Sequence, residues 1–214
     1  MTDILKEIQE LMLEGEGKEL KEAVVRAMEA GVPAQTILDD GLLAAMDIVG
    51  EQFKNNEMFV PEVLVSARAM SMGVEVLKPH LAAGGISEQG VAVIGTVEGD
   101  LHDIGKNLVK LMMEGKGIRT IDLGVDVSPD RFYEAAVENN ANIICCSALL
   151  TTTMNHMRRV VEKVNDSPYR GKLKIMIGGA PVTQEFCDAI GADCYTPDAA
   201  SAAQAAVALC QGTR

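Results

Sequence analysis

The hydrophobic pattern of this chain changes its period near residue 90, and this change limits the possible folds more than any other feature. Up to about residue 82, apolar residues recur every three or four positions, as on one face of an α-helix. From residue 91 they come instead in short continuous runs rich in β-branched side chains, which is typical of strands buried in a parallel sheet. We therefore predict an all-α domain over residues 1–85 and an α/β domain over residues 86–214.

The first half contains four amphipathic helical patterns separated by short loops, which predicts a four-helix bundle. "DILKEIQELML" is the first pattern, and "ELKEAVVRAMEA" is the second and should stop at Gly31. The third pattern begins with Pro33 in its first turn, and the fourth should end near Pro79. "AAGGISEQG", residues 82–90, has the composition of a linker between the two domains.

The second half alternates strand and helix patterns, which predicts a Rossmann-like (flavodoxin-like) open parallel sheet of about five strands with helices on both faces. The strand candidates are "VAVIGTV", "IRTIDLG", "ANIICCSAL", "LKIMIGG" and the short "DCYT". Ligands of such sheets bind outside the carboxyl ends of the strands. Three unusual stretches, "EGDLHDIG", "SALLTTT" and "IGGAPV", fall at those ends and predict the binding site there.

Composition excludes several other classes of protein. A net charge of -12 argues against a surface for nucleic acid. The apolar stretches are too short to cross a bilayer, and the acidic N-terminus lacks the basic start of a signal peptide, so we expect a soluble cytoplasmic protein without a membrane partner. The five cysteines are odd in number and lie mostly in apolar segments, which favours buried reduced thiols over disulfides.

His102 lies in "GDLHDIG" between two aspartates, where a predicted strand turns into a helix. A metal-bound imidazole commonly gives its second nitrogen to a carboxylate, and Asp100 and Asp103 flank this ring. His80 and His156 lie in other patterns and are expected at the surface or at helix caps. A site with one histidine requires a metal that already has its other ligands, such as a metal held in a macrocycle.

Two simpler interpretations of the same stretch remain open on the residues alone. A lone histidine at a strand end is most often a hydrogen-bonded loop residue or a helix cap. The turn before a helix N-terminus could also bind phosphate, although "GDLHDIG" lacks both the GxGxxG pattern and the lysine of a phosphate-binding loop.

The spacing Asp100-x-His102-x-x-Gly105, with Ser147-x-Leu149 and Gly178-Gly179, resembles the signature of cobalamin-binding domains. In these domains the benzimidazole base of cobalamin is released from cobalt, and a histidine of the protein binds cobalt in its place. "GDLHDIGKNLV", "DLGVDV" and "IGGAPVT" are similar to cobalamin-dependent methionine synthase and to the corrinoid proteins of methylamine, methanol and methoxyarene methyltransferase systems. "VGEQFKNNEMFVPEVLVSARAM" resembles the helical cap that these proteins place over the upper face of the corrin.

The resemblance implies a role for each matching residue. His102 would be the lower axial ligand of cobalt, Asp100 would accept a hydrogen bond from its ring, and Thr153, where methionine synthase has a serine, would complete the relay. The remaining residues would line the corrin and the slot for the displaced nucleotide tail; they are Gly99, Leu101, Asp103, Ile104, Gly105, Ser147, Leu149, Thr151, Gly178, Gly179, Tyr195 and Ala199.

The resemblance also implies a function as a methyl carrier without a complete active site of its own. A substrate-specific methyltransferase would deliver a methyl group to Co(I), giving methyl-Co(III), and a second methyltransferase would pass it to a thiol or to tetrahydrofolate. A reductive activase would be a further partner. The alternatives are a cobalamin-binding sensor, although no basic segment suits DNA binding, and a mutase subunit, a class that lacks such a cap.

Overall fold

The computed structural model describes residues 3–81 and 89–212. The chain divides into two compact units, Met1–Glu88 with Gly115–Gly117, and Gln89–Glu114 with Ile118–Arg214. Most of the linker expected from the sequence, residues 82–88, lies outside the described residues. Within the described ranges, no helix is long and apolar enough to cross a membrane.

The first unit is the helical bundle predicted from the sequence. Its helices are α1 (Asp3–Glu14), α2 (Gly17–Glu29), the short α3 (Ala34–Thr36), α4 (Ala44–Lys54) and α5 (Val60–Leu81). A π-helical segment, Ile37–Leu43, joins α3 to α4. The core is aliphatic and methionine-rich, and its fully buried large side chains include Ile8, Met12, Leu20, Leu42, Met46 and Leu77.

The π-helical segment was not anticipated, because the sequence predicts an ordinary α-helix here. Buried residues recur every four positions along this stretch, at 37–38, 41–42, 45–46 and 49–50. Four residues of an α-helix turn about 400°, so a repeat of four drifts about 40° per turn away from a straight stripe. The wider π turn removes part of this drift and keeps the apolar stripe facing the core.

Helix α5 also runs further than expected, since it continues past Pro79 and ends at Leu81. A proline costs a helix one backbone hydrogen bond and clashes with the preceding turn. In α5 the disruption falls within the last turn of the described helix. The described part of α5 therefore extends two residues beyond the predicted end near Pro79.

The second unit is the predicted α/β domain. Its elements are β1 (Gly90–Thr96), α6 (Ile104–Glu114), β2 (Ile118–Asp122), α7 (Pro129–Glu138), β3 (Ile143–Ser147), α8 (Met154–Asn165), β4 (Lys174–Gly178), α9 (Gln184–Ile190), β5 (Cys194–Tyr195) and α10 (Ala199–Gly212). In the described part the sheet has five parallel strands in the order β2-β1-β3-β4-β5.

The strand order places the topological switch point between β1 and β3. The connection from β1 leads outward to β2, whereas the chain returns to the other side of β1 for β3. Open α/β sheets bind their ligands in the crevice outside the carboxyl ends of the strands at such a point. Thr96, Ser147 and Gly178 are register neighbours across β1, β3 and β4, and they mark this edge of the sheet.

The five cysteines all lie within the described residues and form no disulfide with one another, and Cys145, Cys146, Cys187 and Cys210 are buried. Burial raises the pKa of the Cys187 thiol to about 11. A raised pKa keeps a thiol protonated and therefore poorly reactive at neutral pH.

Candidate functional site

The loop between β1 and α6 carries Asp100 and His102 at the switch point. The ring nitrogen Nδ1 of His102 lies 2.7 Å from Oδ1 of Asp100, and the backbone N–H of His102 donates to the same oxygen at 3.1 Å. The Asp100 side chain is completely buried, while 52% of the His102 side chain is exposed. A carboxylate only accepts, so Nδ1 is the donor and Nε2 is left with its lone pair available as a ligand.

The second carboxylate oxygen of Asp100 binds a different segment of the chain. Oδ2 accepts hydrogen bonds from the backbone N–H groups of Leu149 at 2.7 Å and Leu150 at 3.2 Å, and from the Thr153 hydroxyl at 3.1 Å. Burial by itself would raise the pKa of Asp100, but the hydrogen bonds from Leu149, His102 and Thr153 outweigh it and hold the pKa far below its usual range. Asp100 is therefore a buried acceptor that is ionised at neutral pH.

Asp126, from the loop after β2, holds the turn that precedes Asp100. Its Oδ1 accepts a hydrogen bond from the Gly99 N–H at 2.7 Å, and its own N–H donates to the Asp100 carbonyl at 3.0 Å. Both residues have left-handed backbone, with φ of +55° at Asp126 and +81° at Gly99. Such a φ is uncommon for a residue other than glycine, although aspartate tolerates it better than most. No motif or spacing in the sequence indicates this role of Asp126.

A buried ion pair supports the other end of the loop. Lys106, in the first turn of α6, is only 2% exposed at its side chain, and its Nζ lies 2.6 Å from Oδ1 of Asp122 at the end of β2. The Gly124 N–H donates to the same oxygen at 2.9 Å, and Lys110 Nζ lies 3.4 Å from Oδ2. Burial raises the pKa of Asp122, but Lys106, Gly124 and Lys110 outweigh it, and the net pKa is lowered.

The surface around His102 is apolar and largely uncovered. Leu101 is 71% exposed and Ile104 is 75% exposed, and Leu149 and Leu150 are also exposed. Asp103 is exposed too, and its carbonyl and carboxylate accept hydrogen bonds from the backbone and side chain of Asn107 in α6. Exposed leucine and isoleucine side chains on the loop that carries His102 and on the loop that binds Asp100 are suited to an apolar planar ligand.

The three signature glycines differ in what surrounds them. A Cβ at Gly179, where φ is +131°, would lie 1.9 Å from the Ala148 carbonyl oxygen, so the fold itself requires this glycine. A Cβ at Gly178 would meet only the Thr196 carbonyl, at 3.5 Å, and a Cβ at Gly105 would meet no atom within 4 Å. Protein packing therefore does not account for glycine at position 105, which leaves open backbone beside His102.

The remaining residues expected at the site differ from one another in burial and in the elements that carry them. Ser147 is the last residue of β3 and is partly buried, whereas Thr151 is exposed in the loop that follows. Tyr195 in β5 is partly buried and packs against the core, and Ala199 is buried at the start of α10. Their proximity to a nucleotide tail remains a prediction.

The other two histidines differ from the expectation in one respect. His80 is exposed in α5, but His156 in α8 is partly buried, with its Nδ1 3.1 Å from Oε2 of Glu98. In residues 3–81 and 89–212, no three His, Cys, Asp or Glu side chains are grouped so that they could hold a metal ion.

Both halves of the chain match known protein families. Residues 90–207 match a family described as "B12 binding domain", and residues 4–78 match a second family with the same description.

The chain is also similar over most of its length to individual proteins. The dimethylamine corrinoid protein 1 of Methanosarcina mazei is 42% identical over 211 residues, covering 98% of this chain and 97% of that protein. The trimethylamine corrinoid protein 1 of the same organism is 43% identical over 176 residues, covering 81% and 82%. The methanol:cobalamin methyltransferase complex MtaBC from Methanosarcina barkeri contains a chain with 31% identity and a TM-score of 0.87, covering 99% of this chain and 81% of that one.

Proposed function

This chain belongs to the B12-binding family of corrinoid proteins, and from that premise we propose that it carries methyl groups on a cobalamin whose cobalt is bound by His102. The family and the corrinoid cofactor predicted from the sequence are confirmed by these matches.

The site fits such a cofactor in three respects. His102 presents Nε2 outward, because Nδ1 is held by Asp100. Leu101, Ile104 and Leu149 offer exposed apolar side chains on which a corrin ring could lie. Gly105 leaves open backbone next to the histidine, where a side chain would narrow the approach of a ligand.

One observation carries the proposal: a half-exposed imidazole is anchored to a completely buried carboxylate. The cobalt of a bound corrinoid supplies the atom to which a methyl group attaches and from which it leaves. The chain supplies a neutral nitrogen ligand in a fixed tautomer. Asp100 also stabilises the imidazolium that forms when the ring takes up a proton away from the metal, so that His102 can leave and return.

The relatives support a role in methyl transfer. Two of them are named as dimethylamine and trimethylamine corrinoid proteins, and the matching structure is a methanol:cobalamin methyltransferase complex. We therefore propose that a substrate-specific methyltransferase loads this protein and that a second methyltransferase, acting on a thiol or on tetrahydrofolate, unloads it. A reductive activase would restore the carrier after accidental oxidation.

The test uses the full-length protein loaded with cobalamin and chemically reduced. It is mixed with candidate methyltransferases and with methylamines, methanol, betaine or aryl methyl ethers that carry an isotope label in the methyl group. We expect one donor and its enzyme to transfer about one label per protein, and the unreduced protein to acquire none. A protein that takes no label from any donor, and that changes its oligomeric state when illuminated, would be a sensor and would refute the proposal.

A further inference from the structure

Thr96 is the last residue of β1 and one of the few polar residues that are completely buried in the described part of the chain. Its hydroxyl Oγ1 donates a hydrogen bond of 2.8 Å to the backbone carbonyl of His102, six residues later. The hydroxyl thus connects the rigid end of a central strand to the residue that carries the exposed imidazole.

The fold of the strand does not require this hydroxyl. The Thr96 backbone is already paired, since its N–H donates to the Gly124 carbonyl at 2.9 Å and its carbonyl accepts from the Val127 N–H at 3.0 Å. The preceding buried positions of β1 are occupied by valine, alanine, isoleucine and glycine, none of which carries a polar side chain. Valine has nearly the shape of threonine and would suit the strand equally well, so the hydroxyl calls for a different explanation.

We propose that Thr96 is a positioning residue for the axial histidine. Asp100 fixes the N–H of His102 and the Nδ1 of its ring, but both contacts lie on the amino-terminal side of the residue or on the ring itself. Thr96 fixes the carbonyl on the other side. With both ends of the residue held, the main chain at His102 cannot rotate, and the direction of Nε2 is set by β1 and by Asp100 together.

This inference rests on the proposed function, because it concerns how readily His102 binds cobalt. One neutral hydrogen bond contributes about 0.5–1.5 kcal/mol, so removing the Thr96 hydroxyl should lower the ratio of His-bound to His-free cofactor by about two- to tenfold. The methyl group of Thr96 makes no contribution to this effect, and a serine in its place should therefore behave like threonine.

The test compares Thr96→Val, which removes only the hydroxyl, with Thr96→Ser, which keeps it. Full-length variants are loaded with cobalamin and reduced to the Co(II) form. Electron paramagnetic resonance then measures the fraction of cobalt split by an axial nitrogen, and spectroelectrochemistry measures the Co(II)/Co(I) potential. We expect Thr96→Val to lose part of the nitrogen splitting and to be reduced at a less negative potential, and Thr96→Ser to match the wild type.

Two further variants separate positioning from stability. Thr120 lies in β2 and its hydroxyl donates to the Glu114 carboxylate, so Thr120→Val removes a hydroxyl from the same sheet without touching His102. It should leave the splitting and the potential unchanged. Thr96→Ala removes the hydroxyl and also reduces the volume of the side chain, and it should repeat the effect of Thr96→Val even if either variant melts at a lower temperature.

Wild-type splitting and potential in both Thr96→Val and Thr96→Ala would overturn the positioning role, whatever their stability. A loss in Thr96→Ser equal to that in Thr96→Val would overturn it as well. Absence of nitrogen splitting in the wild-type protein is a different result, because it would remove His102 from cobalt and refute the assignment on which the inference rests.

Discussion

The ring nitrogen Nδ1 of His102 lies 2.7 Å from Oδ1 of Asp100, and the other oxygen of that carboxylate accepts hydrogen bonds from residues about fifty positions further along the chain. Asp100 thereby joins the loop after β1 to the loop after β3. A displacement of Leu149 or Thr153 would reach His102 through a single buried side chain.

Replacing His102 with alanine should abolish the axial nitrogen signal of the Co(II) form. Cobalamin should still bind, because the apolar surface and the strand ends are unchanged. His156→Ala is the matched control, since it removes a partly buried imidazole from the same unit and leaves the Asp100 contact in place. Electron paramagnetic resonance of the two holoproteins checks the prediction, and nitrogen splitting in His102→Ala would contradict it.

Replacing Asp100 with asparagine should weaken both the contact with His102 and the contacts with the loop after β3. An amide has one accepting oxygen, so it cannot serve His102 and the Leu149 and Leu150 N–H groups together. We expect the affinity for cobalamin to fall about 10- to 100-fold, which is the usual loss of metal affinity when the residue that hydrogen-bonds to a metal-bound histidine is replaced. The measurement is a spectroscopic titration of the cofactor-free protein, and affinity equal to that of the wild type would exclude the relay.

Thr153 should act through its hydroxyl alone. The hydroxyl lies 3.1 Å from Oδ2 of Asp100 and 2.9 Å from the Leu150 carbonyl oxygen, so its single hydrogen is shared between these two acceptors, and the side chain is buried. Thr153→Ser should therefore preserve the Co(II)/Co(I) potential and its pH dependence, whereas Thr153→Val should shift them. The effect of valine should be smaller than that of Asp100→Asn, because two backbone N–H groups still bind the carboxylate. Equal behaviour of the two Thr153 variants would count against the relay.

The side-chain oxygen of Asp126 should contribute to the stability of the folded protein, because it accepts a hydrogen bond from the Gly99 N–H. In Asp126→Ala the Gly99 N–H loses its partner and a residue ill suited to positive φ occupies the turn, so the free energy of unfolding should fall by about 1–3 kcal/mol. Asp126→Asn keeps an acceptor and tolerates the same φ, and it should lose much less. Chemical denaturation of the cofactor-free proteins measures the difference, and equal losses would show that the acceptor is unimportant.

The Lys106–Asp122 pair should make stability depend on pH in acid. The pKa of Asp122 is about 3.8 in an unfolded chain and is lower in the folded protein. The ionised carboxylate therefore contributes fully to the free energy of unfolding above about pH 4, and this contribution is lost as the pH falls through the lower pKa of the folded state. Asp122→Asn should reduce stability at pH 7 by about 3 kcal/mol, because Lys106 stays buried without its counter-charge, and should flatten the decline below pH 4. Asp166→Asn, at the exposed end of α8, is the control. Thermal unfolding between pH 3 and 7 measures this dependence. If the stability of Asp122→Asn falls below pH 4 as steeply as that of the wild type, the pH dependence does not come from Asp122.

Much of the fold is predictable because its signals are local. The four long strands are continuous apolar runs bounded by glycine or polar residues, and each was located to within two or three residues at either end. The pairing of Asp100 with His102 is also local, since the two residues are two positions apart and both lie in one loop. Family resemblance supplied Thr153, which no spacing rule connects to residue 100.

The contacts that sequence reasoning missed are those made by the backbone. Thr96 acts on the carbonyl of His102 and Asp126 acts on the N–H of Gly99, and every residue of the chain except proline offers the same two groups. Which carbonyl or N–H a side chain reaches depends on the path of the loop. A polar residue at the end of the apolar run "VAVIGT" was the one available hint for Thr96.

The π-helical segment Ile37–Leu43 has a consequence for transferring residue roles between relatives. A wide turn contains about one residue more than the α-helical turn it replaces. A relative whose helix keeps the ordinary pitch would reach the same point with one residue fewer, so its correct alignment with this chain needs a gap inside 37–43. An ungapped alignment would shift every later position of α4 by about 100° around the helix axis. It would pair the buried Met46 with the relative's counterpart of the exposed Asp47, even where the two sequences look equally well matched.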